Sequence, residues 1–276
     1  MFRERVSDNI YVFSSDLYAQ VTAGVVVTPA GAILIDSLPF PSETREMASF
    51  IPKVCPQGVK YVILTHYHAD HAYGTYLFPE ADVVSHELCR RFLQERGYPA
   101  LEEVKAEEPL LEDVKLRLPD VTFAGEEMAL QIAGQLIQLI WAPGHTQDLA
   151  MVYIENDQVL FASDTMMPVP SVVDGEVDAY RKSLEKIKEL EINNVVQGHG
   201  EVVLVGEVNK AIDASLGYLD AIEAKVRKAI ESGEGRQALR DDNIESTGLS
   251  RLPLHGQVQR IHIANLMALY DRRSSD

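Results

Sequence analysis

Short apolar runs broken by turn residues fill the first two thirds of the chain, and apolar residues three and four apart fill most of the rest. Ile10 to Phe13 and Val21 to Thr28 read as strands. After the Pro29-Ala30-Gly31 turn, Ala32 to Ile35 reads as a third, with Asp36 at its end. Ser42 to Ile51 has a helical pattern. Lys60 to Leu64 is a short, mostly apolar strand ending at Thr65, of the kind found inside a sheet covered by helices. Asp82 to Val84 is a further strand, and Ser85 is the expected cap of a helix running to about Gln94. Residues 95–119, charged and interrupted by Pro99, Pro109 and Pro119, read as irregular or partly helical. Strand patterns return at Val121 to Phe123, Met128 to Ile132, Leu136 to Trp141, Ala150 to Ile154 and Val159 to Ala162. Asn156 and Asp157 suit a hairpin turn between the last two.

The remainder is helical. Asp178 precedes a helix in which Tyr180, Leu184 and Ile187 share a face. Ile212, Leu216, Leu219, Ile222, Val226 and Ile230 trace a long amphipathic helix, ended by Ser232, Gly233 and Gly235. A last helix is expected from about Val258 to Tyr270. The expected organisation is an α/β body over residues 1–205, with a helical extension over 206–276 packed on it.

Composition narrows the function classes. The 276 residues can bury a large core, and with 46% hydrophobic and 24% charged residues, disorder and collagen-like repeats are excluded. A formal charge of −17, from 42 acidic and 25 basic side chains, repels a phosphate backbone, so nucleic acid is not the expected partner. A small molecule is. Cys55 and Cys89 are the only cysteines, which suits buried thiols better than a disulfide framework. No secretory apolar core follows Arg3, Glu4, Arg5 and Asp8, and no run of eighteen apolar residues occurs. The expectation is a cytoplasmic protein without a membrane span.

The densest chemistry is Thr65-His66-Tyr67-His68-Ala69-Asp70-His71, directly after an apolar strand. In a continued strand His66 and His68 would face one way and His71 the other, whereas a loop turns all four polar groups inward. Imidazole nitrogen with carboxylate oxygen suits zinc, iron, manganese or cobalt. Burying such groups unpaired would cost about 1–3 kcal/mol each, which argues against a purely structural cluster. His145 after Pro143-Gly144, Asp164 after the strand ending at Ala162, and His199 between Gly198 and Gly200 are similar strand-end positions.

In these motifs the chain resembles the metallo-beta-lactamase-fold hydrolases. Their HxHxDH motif is matched by His66, His68, Asp70 and His71; their later ligands are matched by His145, Asp164 and His199, over roughly residues 8 to 200. The resemblance implies a four-layer αββα sandwich, with His66, His68 and His145 on one metal, Asp70, His71 and His199 on the other, and Asp164 bridging. It also implies that Asp36 supports the metal loop by hydrogen bonds without ligating. An aspartate at the bridging place resembles glyoxalase II-like enzymes. The first subclass of zinc beta-lactamases carries cysteine there, so the resemblance implies metal-dependent hydrolysis more than lactam cleavage.

The implied cofactors are two divalent transition-metal ions, zinc first, with iron or manganese as alternatives. Such a pair, about 3.5–4 Å apart, would hold a water between them and lower its pKa from about 15.7 towards neutrality, so that hydroxide attacks an ester, lactone, thioester or amide. Asp70 is the expected catalytic residue, orienting the hydroxide and taking a proton. The alternatives are a phosphodiesterase and a non-catalytic metal-binding module. Tyr67 and Tyr73 are candidate oxyanion donors or packing residues, and Met166, Met167 and Pro168 candidate walls of an apolar pocket. Asp148 reads as a partner for a ligand imidazole or as a turn cap. His86, His255 and His262 read as surface or interhelical residues. The tail's apolar face suits a lid over the metals or a homodimer contact.

Overall fold

Along β4 (Gly31–Ile35), Ala32 and Leu34 join one apolar cluster while Ile33 and Ile35 join another. That is the period-two division of a strand covered on both faces. The computed structural model, which describes residues 1–274, repeats this division across two sheets. The first sheet has seven strands in chain order: β1 (Phe2–Arg5), β2 (Ile10–Ser14), β3 (Thr22–Thr28), β4, β5 (Val59–Ile63), β6 (Asp82–His86) and β7 (Val121–Phe123). β1 to β4 pair antiparallel, and β4 to β7 pair parallel. The second sheet comprises β8 (Glu127–Ile132), β9 (Gln135–Trp141), β10 (Ala150–Ile154), β11 (Val159–Ser163), β12 (Asn194–Gln197) and β13 (Val203–Leu204), in the order β13-β12-β11-β10-β9-β8. Only β11 and β12 run parallel there.

Ile33, Ile35 and Ile63 of the first sheet meet Leu139, Val152 and Phe161 of the second in the inter-sheet core. Behind the first sheet, Leu34 and Val62 pack with residues of α1 (Pro41–Val54), α3 (Glu87–Phe92) and α4 (Tyr98–Glu107). Behind the second, Met151 and Leu160 share one cluster with residues of α5 (Val177–Ile187), α6 (Val205–Glu231) and α7 (Val258–Arg273). The architecture is the expected αββα sandwich with a helical C-terminal extension. Tyr218, Leu219, Ile222, Val226 and Ala229 of α6 are buried, while Ile230 is exposed, so the buried face passes through Ala229 in the last turn and not through Ile230. Among the described residues no helix is long and apolar enough to cross a membrane.

Several local readings change. His86, not Ser85, caps α3: its Nδ1 accepts from the Leu88 amide at 3.2 Å, because His86 is the residue with extended backbone at the helix entry. Within residues 95–119, Tyr98–Glu107 is a regular helix with Pro99 in its first turn, where a missing N–H costs nothing. β1, β12 and β13 escaped the pattern because they are short and β1 is an exposed, mostly polar edge. Asn156 and Asp157 do lie in the hairpin connection between β10 and β11, as a single 3-10 turn followed by left-handed Gln158 (φ 52°).

The fully buried Ile33 tests the inter-sheet core. Ile33→Ala is expected to lower unfolding free energy by about 2–5 kcal/mol, read from chemical denaturation. A loss under about 1 kcal/mol would mean that the sheets repack around the gap.

Candidate metal centre

β5 ends at Ile63 and releases the chain into the His66 loop, in the crevice at the carboxyl ends of parallel strands. The loop is only partly open. His68 stands at the entry of a single helical turn, α2 (Ala69–Ala72), whose first bonds run from the amides of His71 and Ala72 to the His68 carbonyl. This turn, rather than the loop expected, swings Asp70 and His71 round beside His66. The second sheet supplies the rest: His145 from the β9–β10 loop, Asp164 just past β11 and His199 just past β12.

The side chains form two groups, His66, His68, His145 and Asp164 in one, and Asp70, His71 and His199 in the other; the donor atoms within each group lie within 4.8 Å of one another. Asp164 faces both. Its Oδ1 is 3.2 Å from His71 Nε2, and its Oδ2 is 3.2 Å from His145 Nε2 and 3.6 Å from His199 Nε2. Asp70 Oδ2 lies 3.3 Å from His199 Nε2.

Outward-facing nitrogens are all engaged. His71 Nδ1 donates to Asp36 Oδ2 (2.8 Å), His145 Nδ1 to the Ser171 carbonyl (2.9 Å) and His199 Nδ1 to the Ala19 carbonyl (2.9 Å). The Thr65 hydroxyl donates to Asp36 Oδ2 (2.8 Å) and so accepts from His66 Nδ1 (3.1 Å). His68 is reversed, with Nε2 3.4 Å from Asp174 and Nδ1 turned inward. A proton held on each outer nitrogen leaves a lone pair on each inner one. Asp36 supports the metal loop as the resemblance implied, through Thr65 and His71 and from a left-handed backbone (φ 60°).

Those inner atoms fit a cation. His66 Nε2, His71 Nε2 and Asp164 Oδ1 are buried without a hydrogen-bond partner, and His145 Nε2 faces His68 Nδ1 at 3.0 Å. Five imidazoles and two carboxylates form a nitrogen- and oxygen-rich donor set suited to divalent transition metals. The electrostatics agree. Burial, then His71 and His68, pushes His66 well below its usual pKa, and burial pushes His145 down to about 4. Burial opposes charge on His71 and His199 as well, yet Asp36, Asp164 and Asp70 outweigh it at His71, and Asp164 and Asp70 raise His199 to about 10. The nearby carboxylates thus favour positive charge at these two positions.

Gly198 and Gly144 are among the glycines required by contact. A Cβ on Gly198 would stand 1.8 Å from Asp164 Oδ1, and one on Gly144 (φ 153°) 2.3 Å from the Tyr180 Cα. Asp148 accepts the Tyr67 amide (2.8 Å), so it braces the metal loop without meeting an imidazole; burial pushes its carboxyl up to about 6. Tyr67 donates its hydroxyl to Asp174 (2.5 Å), and Tyr73 is buried beneath the loop. Met166 belongs to the core, whereas Met167 and Pro168 line a cavity of about 910 Å³, which also includes His255. His262 is buried between α6 and α7, and His86 stacks on Trp141. Tyr18 and Asp174 were not anticipated. The Asp70 carboxylate, then burial and Asp164, push the Tyr18 phenol up to about 12. Neither residue lies near a ligand motif in sequence, so only the folded chain identifies them.

Residues 18–199 match the model of the Metallo-beta-lactamase superfamily. The chain belongs to that superfamily. It is 23% identical over 176 residues to "Beta-lactamase-like protein 2 homolog" of Caenorhabditis elegans, covering 64% of this chain and 53% of that protein. It is also 23% identical over 179 residues to "Atrochrysone carboxyl ACP thioesterase" of Aspergillus fumigatus, covering 65% and 50%. The chain thus spans about half the length of these curated relatives. A metallo-beta-lactamase family protein from Thermus thermophilus superposes with a TM-score of 0.69 at 21% identity, covering 98% of this chain and 95% of that one, and so shares the fold through the helical extension.

Protein purified without chelator is expected to carry close to two transition-metal ions per chain by elemental analysis. Asp164→Ala should weaken retention of both without unfolding the chain, and wild-type retention in the variant would reduce Asp164 to a turn residue. Protons on His71 and His199 must leave before metal binds, so affinity should rise with pH up to about 10. Calorimetry at pH 7.5 in buffers of different ionisation heat should therefore show proton release on binding. Its absence would contradict this electrostatic picture.

Proposed function

We propose that the protein is a binuclear metal-dependent hydrolase of a small ester, lactone, thioester or amide. His66, His68 and His145 would hold one ion and Asp70, His71 and His199 the other, with Asp164 shared. Zinc is the metal best matched to this donor set. When bound, the cations supply a Lewis acid for the carbonyl oxygen and acidify a water molecule. Residues 1–205 act as the catalytic unit in this reading, and 206–276 as the extension that completes the substrate site; the last two of those residues lie outside the described part. Two free buried thiols, Cys55 and Cys89, suit the reducing conditions of a cytoplasmic location.

The observation that carries the substrate class is the cavity lined by Gly200, the chain neighbour of His199. Met167, Pro168 and Gly200 of the core face Ala211, Leu249 and Leu252 of the extension, an apolar wall suited to an acyl arm. Gly200 and Gln20, joined by a backbone hydrogen bond of 3.0 Å, tie this wall to the turn that holds His199. Asp164 is buried, whereas Asp70 is only half-buried, so Asp70 is the carboxylate able to pass a proton between the reacting water and solvent. Tyr18, half-exposed and with its phenol held protonated beside Asp70, is placed to donate a hydrogen bond to bound substrate.

At equal metal loading, kcat/KM for the best ester, lactone or thioester is expected to exceed that for bis(p-nitrophenyl) phosphate by at least about 100-fold, or roughly 2.7 kcal/mol of transition-state preference. An equal or better phosphodiester would transfer the protein to the phosphodiesterase reading. A metal-loaded protein inert to every substrate would favour the non-catalytic module.

A further inference from the structure

Helix α7 lies more than fifty residues beyond the last ligand motif, yet a buried polar chain links it to the His145 ring. Asn265 has no exposed surface. Its Oδ1 accepts the Val172 amide at 2.8 Å, and its Nδ2 donates to the Pro170 carbonyl at 2.7 Å and to Tyr218 Oη at 2.9 Å. Between the two anchored residues sits Ser171, the residue whose carbonyl receives His145 Nδ1. Arg272 of the same helix adds two bonds, to the carbonyls of Val172 (2.8 Å) and Val173 (2.9 Å). The next residue is Asp174, the partner of Tyr67 and His68. Segment 170–174 therefore holds two imidazoles of one group and is itself held from α7.

Asn265 is oriented in turn. Having accepted from Asn265, Tyr218 directs its own proton to His262 Nδ1 (3.1 Å), and His262 Nε2 donates to Asp242 Oδ1 (3.0 Å). Lys225 secures the other oxygen of Asp242 at 2.7 Å. Each group has one direction of donation, so the amide of Asn265 has one orientation. A leucine would pack an interhelical position without needing these partners, and burying an amide is costly unless its bonds are made. A fully satisfied network of this kind specifies a geometry.

We propose that Asn265, held by Tyr218, His262 and Asp242, is a positioning residue for the His66–His68–His145 metal group, acting through the Ser171 carbonyl. The proposal rests on His145 being a ligand. The Asp70–His71–His199 group is supported by Asp36 and the Ala19 carbonyl, neither of which belongs to segment 170–174, so the effect is confined to one of two ions.

The test is a chelator-competition titration of zinc into metal-free wild type, Asn265→Leu and Tyr218→Phe. Asn265→Leu should weaken one of the two affinities by about 10–100-fold and leave the other within about twofold, a change typical of lost outer hydrogen bonding to a ligand. Tyr218→Phe, which keeps the packing, should weaken the same affinity by a smaller factor and serves alone if Asn265→Leu does not fold. In a His145→Ala background the effect of either substitution should shrink at least severalfold, because the Ser171 carbonyl then holds no ring and only the longer Asp174–His68 contact of 3.4 Å remains. Equal weakening of both ions, an undiminished effect without His145, or unchanged affinities in a folded variant would each overturn the proposal. A wild-type stoichiometry below two would instead overturn the metal-centre reading, and this proposal with it.

Discussion

A carboxylate buried where two sheets meet is the constraint around which this protein is arranged. Asp164 is almost fully buried, and an ionised carboxylate in that position needs positive partners or several hydrogen bonds. Burial opposes its ionisation, but His199, His145 and His71 outweigh it and hold the carboxyl well below the usual range. Meeting that requirement brings strand ends of both sheets together: His71 comes from the first sheet's loop, and His145 and His199 from the second's. Gly198 leaves the space that the carboxylate occupies, and Tyr180 donates to the Asp164 carbonyl at 2.5 Å. The same concentration of charge that is costly without a cation is what makes the position suited to one.

The inner ring of donors depends on an outer ring of acceptors drawn from distant parts of the chain. Asp36 comes from the end of β4, Ala19 from the β2–β3 turn, and Ser171 and Asp174 from the segment before α5. Each acceptor fixes a tautomer and a ring direction. Asp36 serves both groups, through Thr65 to His66 and directly to His71, whereas Ala19 serves only His199, and Ser171 and Asp174 serve only the other group. The α7 contacts with residues 170–174 bring the helical extension into the support of one group, beyond covering an apolar face.

Metal-ligating side chains and the largest described apolar lining are contributed by different parts of the chain. The donor atoms come entirely from the αββα body, whereas the cavity lined by Gly200 is walled by the body on one side and by the extension on the other. A lid that only covered the metals would not need the buried amide and histidine found between α6 and α7. A site assembled in this way can keep its metal chemistry while the extension changes what fits beside it.

The candidate ligand motifs were legible because they are local. His66, His68, Asp70 and His71 fall within six residues after an apolar strand, and His145, Asp164 and His199 each follow a strand or a turn glycine. Strand alternation and helical spacing likewise exposed most of the two sheets and both long helices, since burying one face leaves a periodic mark on the chain. What the sequence could not carry was pairing across distance. Nothing near Asn265, Asp174 or Tyr18 marks them, because their roles arise from residues about 50 to 150 positions away brought within hydrogen-bond or charge range by the fold. The capping of α3 by His86 rather than Ser85 depended on a one-residue difference in backbone entry. Periodicity and ligand spacing are properties of neighbouring residues and so were written along the chain; the tautomer of His145 depends on a carbonyl held from α7, and only the tertiary structure decided it.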